Sequence, residues 1–188
     1  MLKKSILPIL FSVSILFQGC NGDKKVTTMK EANSMVSTNE YVLTSLKNEQ
    51  FTVKKELDGF SVKELNGKIV IFDIFATWCP PCRAAASHLS SLQKKYKDNL
   101  VVIGLTIEDG ISNEKLEMFK KQNNANYTLV NSAQNHMLIN KIAKQLELGD
   151  RFPIPIMAIY KDGKYINHYV GAIQEEFIES DIKKVLGK

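Results

Sequence analysis

Two nearly unbroken apolar runs constrain this chain more than anything else in it: 68–75 (KIVIFDIF) and 100–107 (LVVIGLTI). A strand with one wet face alternates apolar and polar residues, whereas a continuous apolar run marks a strand covered on both faces. The segments around these runs alternate in kind. Beyond Cys82, Leu89, Leu92 and Tyr96 fall on one helical stripe. Ser112 is placed to cap a helix bearing Leu116 and Phe119, with Glu114 in its first turn. Residues 127–130 predict a short strand. Residues 133–148 predict a helix with Ile139, Ile142, Ala143 and Leu146 inward and Gly149 at its end. Segments 156–160 and 165–170 flank Asp162-Gly163, the strongest hairpin signal in the chain. Residues 51–53 and 60–62 flank Asp58-Gly59 as an N-terminal β-hairpin. Phe177, Ile178, Ile182, Val185 and Leu186 make a closing amphipathic helix. The expected class is α/β, a central mixed β-sheet flanked by helices.

The chain has 188 residues, 44% of them hydrophobic, which suffices for one domain with a real core. Its first twenty residues stand outside the alternation. Lys3 and Lys4 precede the apolar stretch 6–17, which has the length of a signal-peptide core and is short for a mature span. The stretch ends at Gly19-Cys20 and resembles a bacterial lipoprotein signal, in which a small residue precedes a Cys that is lipidated and becomes the new N-terminus. Phe17 and Gln18 depart from the preferred Leu and Ala/Ser of such signals. The expected organisation is a signal peptide over 1–19, a lipidated Cys20 with a flexible tether over 20–45, and the folded domain over 46–188. The polar tether of about 25 residues would reach at most ~80 Å extended and ~27 Å as a coil. The formal net charge is +5; loss of Lys3 and Lys4 leaves 23 Lys+Arg against 20 Asp+Glu, or +3. No basic stripe is interleaved with aromatics, so no nucleic acid is expected as a partner.

Three cysteines are present. With Cys20 assigned to lipid, Cys79 and Cys82 remain as an isolated Cys-Pro-Pro-Cys pair where a buried strand gives way to a helix. A Cys at a helix N-terminus meets unpaired N–H groups and the positive end of the dipole, which stabilise its thiolate. A second Cys three residues on is close enough to resolve a mixed disulfide. Pro80 and Pro81 are tolerated there because first-turn N–H groups have no intrahelical partner. A zinc site would need further ligands, and His88, His136 and His168 lack ligand spacing. Neither metal nor cofactor is expected. An acid inside an apolar run, Asp73, is costly unless it has a task, since burial raises its pKa toward neutrality.

The stretch 70–83 (VIFDIFATWCPPCR), together with 154–163 (IPIMAIYKDG) and Val170-Gly171-Ala172, resembles the thioredoxin superfamily, and within it the TlpA/ResA/CcmG-like periplasmic thiol–disulfide oxidoreductases. The resemblance covers about residues 50–187. It implies a thioredoxin-like fold in which Pro155 is the cis-proline facing the cysteine pair, with Pro153 the competing candidate. A cis X-Pro bond there would leave the preceding backbone, at Ile154, free to pair with an extended substrate. It further implies that Trp78 shields the thiols and touches partners, and that Asp73 is the buried acid relaying protons to the resolving Cys82. Ala85 and Ser87 stand where these proteins usually carry an acid and a kinking Pro. Gly104 holds the place of the Lys that faces the acid in plain thioredoxins.

Three functions compete: a reductase of apo-cytochrome c or metal-site thiols outside the cytoplasm, a disulfide oxidase or isomerase, and a copper-site assembly factor. Pro81 removes one N–H donor from Cys79, which raises the thiol pKa and makes the couple less oxidising. The stretch 83–154 is too short for the helical insertion usual in the oxidase branch. Copper factors of this fold space their cysteines one residue wider. The favoured expectation is a membrane-tethered reductase, acting as a monomer on cysteine-containing client proteins. It would be recharged by an upstream membrane thiol reductase and held by its lipid anchor on the outer side of the cytoplasmic membrane or in the periplasm.

Overall fold

The computed structural model describes residues 39–188; the apolar run 6–17 and Cys20 lie outside them. Among the described residues, eight strands and four helices follow in order: β1 (Glu40–Thr44), β2 (Gln50–Lys55), β3 (Phe60–Val62), β4 (Ile69–Phe75), α1 (Pro80–Lys95), β5 (Leu100–Thr106), α2 (Asn113–Gln122), β6 (Thr128–Val130), α3 (Asn135–Gln145), β7 (Ile156–Lys161), β8 (Lys164–Val170) and α4 (Glu175–Val185). A 3-10 turn, Lys63–Leu65, links β3 to β4.

The main sheet has the order β6-β5-β4-β7-β8. β4 pairs parallel with β5 and antiparallel with β7, so the sheet is mixed, as expected. β4 is buried at every position because it is central and covered on both faces. Residues Ile69, Ile71 and Phe75 point to one core, shared with α1, α2 and α4. Val70, Phe72 and Ile74 point to the other, shared with α3 and the N-terminal strands. The β7–β8 hairpin turns at Asp162 (φ 49°) and Gly163 (φ 81°), the left-handed pair that a two-residue hairpin loop demands. Its ladder shifts register between Ile159 and Tyr160. Ser112 caps α2 by accepting the N–H of Lys115 at 3.3 Å. α1 runs unbroken from Pro80 to Lys95, with Ala85 buried and Ser87 exposed.

The expected N-terminal hairpin is present as β2 and β3, but it is part of a three-stranded antiparallel sheet. Residues 40–44, read in the sequence as the end of the tether, form its first strand. Tyr41 and Leu43 are buried there, and the strand pairs along β2 from Glu40–Lys54 to Thr44–Gln50. Just beyond it, Ser45 bridges to Val130 of β6, and the Leu46 N–H donates to the Leu129 carbonyl at 3.2 Å. The segment therefore joins the two sheets, and the folded region begins before residue 46.

Candidate active site

β4 ends at Phe75, and the chain turns through 76–79 into α1. Cys79 is the N-cap of α1: its backbone is extended, and its Sγ accepts the Cys82 N–H at 3.3 Å. A helix N-terminus offers several unpaired amides, but Pro80 and Pro81 have none to give. Among the described residues, Cys82 is the single backbone donor to Cys79 Sγ. Cys79 and Cys82 are joined as a disulfide, with Cα atoms 5.3 Å apart. They are only 3% and 1% exposed, whereas Trp78 beside them is 59% exposed and Pro80 and Pro81 are also on the surface.

The loop before β7 faces this pair. Of the two competing prolines, Pro155 carries the cis bond, to Ile154. The Ile154 carbonyl oxygen lies 3.8 Å from Cys79 Sγ. Pro155 is buried, and its carbonyl accepts the Gly171 N–H at 2.8 Å, which ties the loop to the Val170-Gly171-Ala172 stretch. Cys79, Cys82, Trp78, Pro80 and Pro81 thus share one corner of the molecule with Ile154 and Pro155. His88, further along α1, is half-buried with Nδ1 3.3 Å from the Ile173 carbonyl.

The turn into Cys79 is held by a residue that sequence reasoning missed. Glu108 accepts the Thr77 N–H at 2.6 Å and the Thr77 hydroxyl at 3.0 Å, and Lys115 Nζ stands 2.7 Å from the same carboxylate. Burial pushes the Glu108 carboxyl up, but the bonds from Lys115 and Thr77 outweigh it and hold the pKa below the usual range. Arg83 adds a bond from Nε to the Thr77 carbonyl at 3.2 Å. Nothing in the sequence links Thr77 to an acid 31 residues away; an acid just past a buried strand was the only signal.

Asp73 lies on β4, paired in register with Gly104 of β5 and Met157 of β7. It is 1% exposed and points to the same side as Ile71 and Phe75, the core that contains both cysteines. Burial raises its pKa from 3.8 to about 7, and the Tyr127 hydroxyl, donating to Oδ2 at 2.7 Å, pulls the other way. Among the described residues, no three His, Cys, Asp or Glu side chains cluster as a metal site.

The arrangement suits thiol–disulfide exchange: a cysteine at a helix N-terminus, a second one turn inside, and an acid buried on their side of the sheet. Comparison with known proteins agrees. The thiol-disulfide oxidoreductase ResA of Bacillus anthracis is 26% identical over 174 residues, covering 90% of this chain and 86% of that protein. A thioredoxin-family thiol:disulfide interchange protein from Chlorobium tepidum TLS superposes with a TM-score of 0.60 at 20% identity, over 79% of this chain and 94% of that one. StoA from Bacillus subtilis superposes with a TM-score of 0.54 at 15% identity, over 76% and 96%. These two likenesses establish the thioredoxin-like fold. A family model matches residues 45–162, which include β4, both cysteines, Asp73 and Pro155, and the chain therefore belongs to the AhpC/TSA family.

Proposed function

We propose that this chain is a protein-disulfide reductase working outside the cytoplasm. It is a thiol–disulfide oxidoreductase, and the observation that carries the reading is the Cys79–Cys82 pair at the head of α1, set against the Ile154–Pro155 loop. In the reduced protein the Cys79 thiolate attacks a client disulfide. The client S–S bond breaks, a mixed disulfide forms on Cys79, and one client sulfur leaves as a thiolate. Cys82, with Asp73 taking its proton, then attacks Cys79 Sγ. The mixed bond breaks, the Cys79–Cys82 bond forms, and the second client sulfur leaves. Two electrons pass from the protein dithiol to the client. Trp78, Pro80, Pro81, Ile154 and Pro155 make the surface that meets the client. An upstream membrane thiol reductase restores the dithiol.

The direction of transfer rests on two features. Cys79 Sγ has one amide donor where a helix N-terminus lacking prolines offers more, and the Ile154 carbonyl oxygen lies on its other side. Both disfavour the thiolate, so the reduced form is stabilised less than in a strong oxidant. Equilibration of the purified domain against glutathione buffers should give a potential more negative than roughly −200 mV. A value near the −120 mV or so of the strongest oxidants would favour a disulfide oxidase instead. Pro81→His, which restores an N–H, should make the couple more oxidising.

The envelope location is supported by the Lys3-Lys4 start, the apolar run and Gly19-Cys20. Cys20 would carry the lipid, with a tether between it and β1. The Cys20→Ala variant should take up no labelled fatty acid and remain an uncleaved precursor; lipid incorporation into it would remove Cys20 as the anchor. Apo-cytochrome c and proteins with metal-site thiols are the proposed client classes, and trapping clients on Cys82→Ser in cells identifies them.

A further inference from the structure

Tyr127 and Asp73 are a pair that the exchange steps above leave half-used. Tyr127 precedes β6, and β5 lies between β6 and β4 in the sheet. Its side chain nevertheless reaches the β4 acid, 2.7 Å from hydroxyl to Oδ2. Gly104 makes the reach possible. A Cβ at that position would sit 3.2 Å from Tyr127 Cε2, 3.2 Å from Phe75 Cε1 and 2.5 Å from Leu129 Cδ2. Tyr127 is itself buried, at 3% exposure. The other carboxylate oxygen, Oδ1, is buried and has no hydrogen-bond partner among the described residues.

Among the described residues, burial and the Tyr127 hydroxyl are what act on Asp73, with no charged side chain beside it. β5 and β7 place Gly104 and Met157 beside Asp73. The titratable groups of the core on its side are Tyr96, Tyr127, Cys79 and Cys82, with Tyr169 packed against it. Several charged or titratable groups on or beside the elements packed over this face have partners of their own. Glu108 binds Thr77 and Lys115. Glu179 of α4 binds Tyr96, just past the end of α1, and Lys95 and Lys183. His88 of α1 meets the Ile173 carbonyl.

We infer that Tyr127 is a positioning residue for the resolving step: its hydroxyl holds Oδ2 of Asp73, leaving Oδ1 as the oxygen that takes the Cys82 proton. The inference rests on the exchange reading above. The proton moves from the Cys82 thiol to Oδ1, the Cys82 thiolate displaces the client sulfur from Cys79, and the departing client thiolate takes a proton from the neutral acid or from solvent. A phenol donating to a carboxylate also favours its ionised form. Tyr127 thereby opposes the upward push of burial and keeps a fraction of Asp73 ionised near neutral pH, where a base is needed. A fixed Oδ2 means that protonation cannot be shared between the two oxygens.

The test uses Tyr127→Phe, which removes the hydroxyl and keeps the ring. Asp73 is titrated in the reduced protein by carboxyl carbon NMR, and the decay of a preformed Cys79 mixed disulfide is timed against pH. The Asp73 midpoint should move up by roughly half a pH unit or more, and decay at neutral pH should slow about threefold or more, its pH profile moving with the midpoint. Alkylation of Cys79 should keep its wild-type rate. An unmoved Asp73 midpoint, or a moved midpoint with an unmoved decay profile, overturns the inference. Normal decay in Asp73→Asn would instead overturn Asp73 as the base. Slow decay in Asp73→Asn beside a wild-type profile in Tyr127→Phe would overturn the part of Tyr127 alone.

Discussion

Cys79→Ser is expected to bring insulin reduction down to the background of free thiols in solution. Loss of a covalent nucleophile in other enzymes costs about three orders of magnitude or more, and a loss on that order is expected here. With Cys82 1% exposed and one turn inside α1, no second described thiol is placed to start the exchange. Cys82→Ser should behave differently. Its Cys79 retains the helix N-terminus and the surface made by Trp78 and the prolines, so it should attack normally and then stall as a mixed disulfide. Limiting iodoacetamide on the reduced wild-type protein should label Cys79 first, read by peptide mass. Preferential labelling of Cys82, or turnover in Cys79→Ser, would reverse the two roles.

The second large effect concerns stability. Asp73 titrates near 3.8 in an unfolded chain and at about 7 when folded, because burial disfavours its charge. A carboxyl whose pKa is raised by folding contributes most below its unfolded value, and that contribution disappears as pH rises through the folded value. The wild-type domain should therefore lose stability between about pH 4 and about pH 7, by up to roughly 4 kcal/mol from this group. Asp73→Asn keeps the shape and can still accept from Tyr127, yet has nothing to ionise. Urea unfolding of the two oxidised proteins should give curves that converge near pH 4 and separate as pH rises, with the Asn variant more stable at neutral pH. Parallel curves would show that Asp73 is not a strongly perturbed acid. Taken with slowed resolution in the same variant, the separation would mean that the acid is retained for rate at the expense of stability.

The framework was legible wherever physics is local. β4 and β5 announced themselves because central strands are apolar on both faces, and the β7–β8 turn because Asp162-Gly163 fits its left-handed geometry. The disulfide followed from the spacing of Cys79 and Cys82, whereas Pro155 was preferred over Pro153 only through the resemblance to the thioredoxin superfamily. β1 escaped because its alternation is only five residues long and one outward position is Val42, so Tyr41-Val42-Leu43 does not stand out from a polar stretch. The Glu108–Thr77 clamp and the Tyr127–Asp73 bond escaped for a different reason. Each joins residues far apart in sequence, 31 and 54 positions, through side chains whose directions only the folded backbone fixes. Gly104 was noticed as a departure, but what it makes room for became visible only with Tyr127 in place.

The bridge between Ser45 and Val130 has a consequence for how this protein can handle its clients. A reductase of protein disulfides meets extended, incompletely folded chains, and an open sheet margin will pair with any such chain through its main-chain groups. β6, the outermost strand on one side, is partly occupied by the chain's own N-terminal segment through that bridge and the Leu46–Leu129 bond. β8, outermost on the other side, begins with Lys164, carries polar Asn167 and His168, and pairs with β7 through a register shift between the Ile159–Asn167 and Tyr160–Tyr165 pairs, an irregularity of the kind that increases local twist. With both margins blunted, non-productive augmentation of the sheet is discouraged, and under the proposed function a client would be left to dock where Ile154 and Pro155 lie beside the sulfurs.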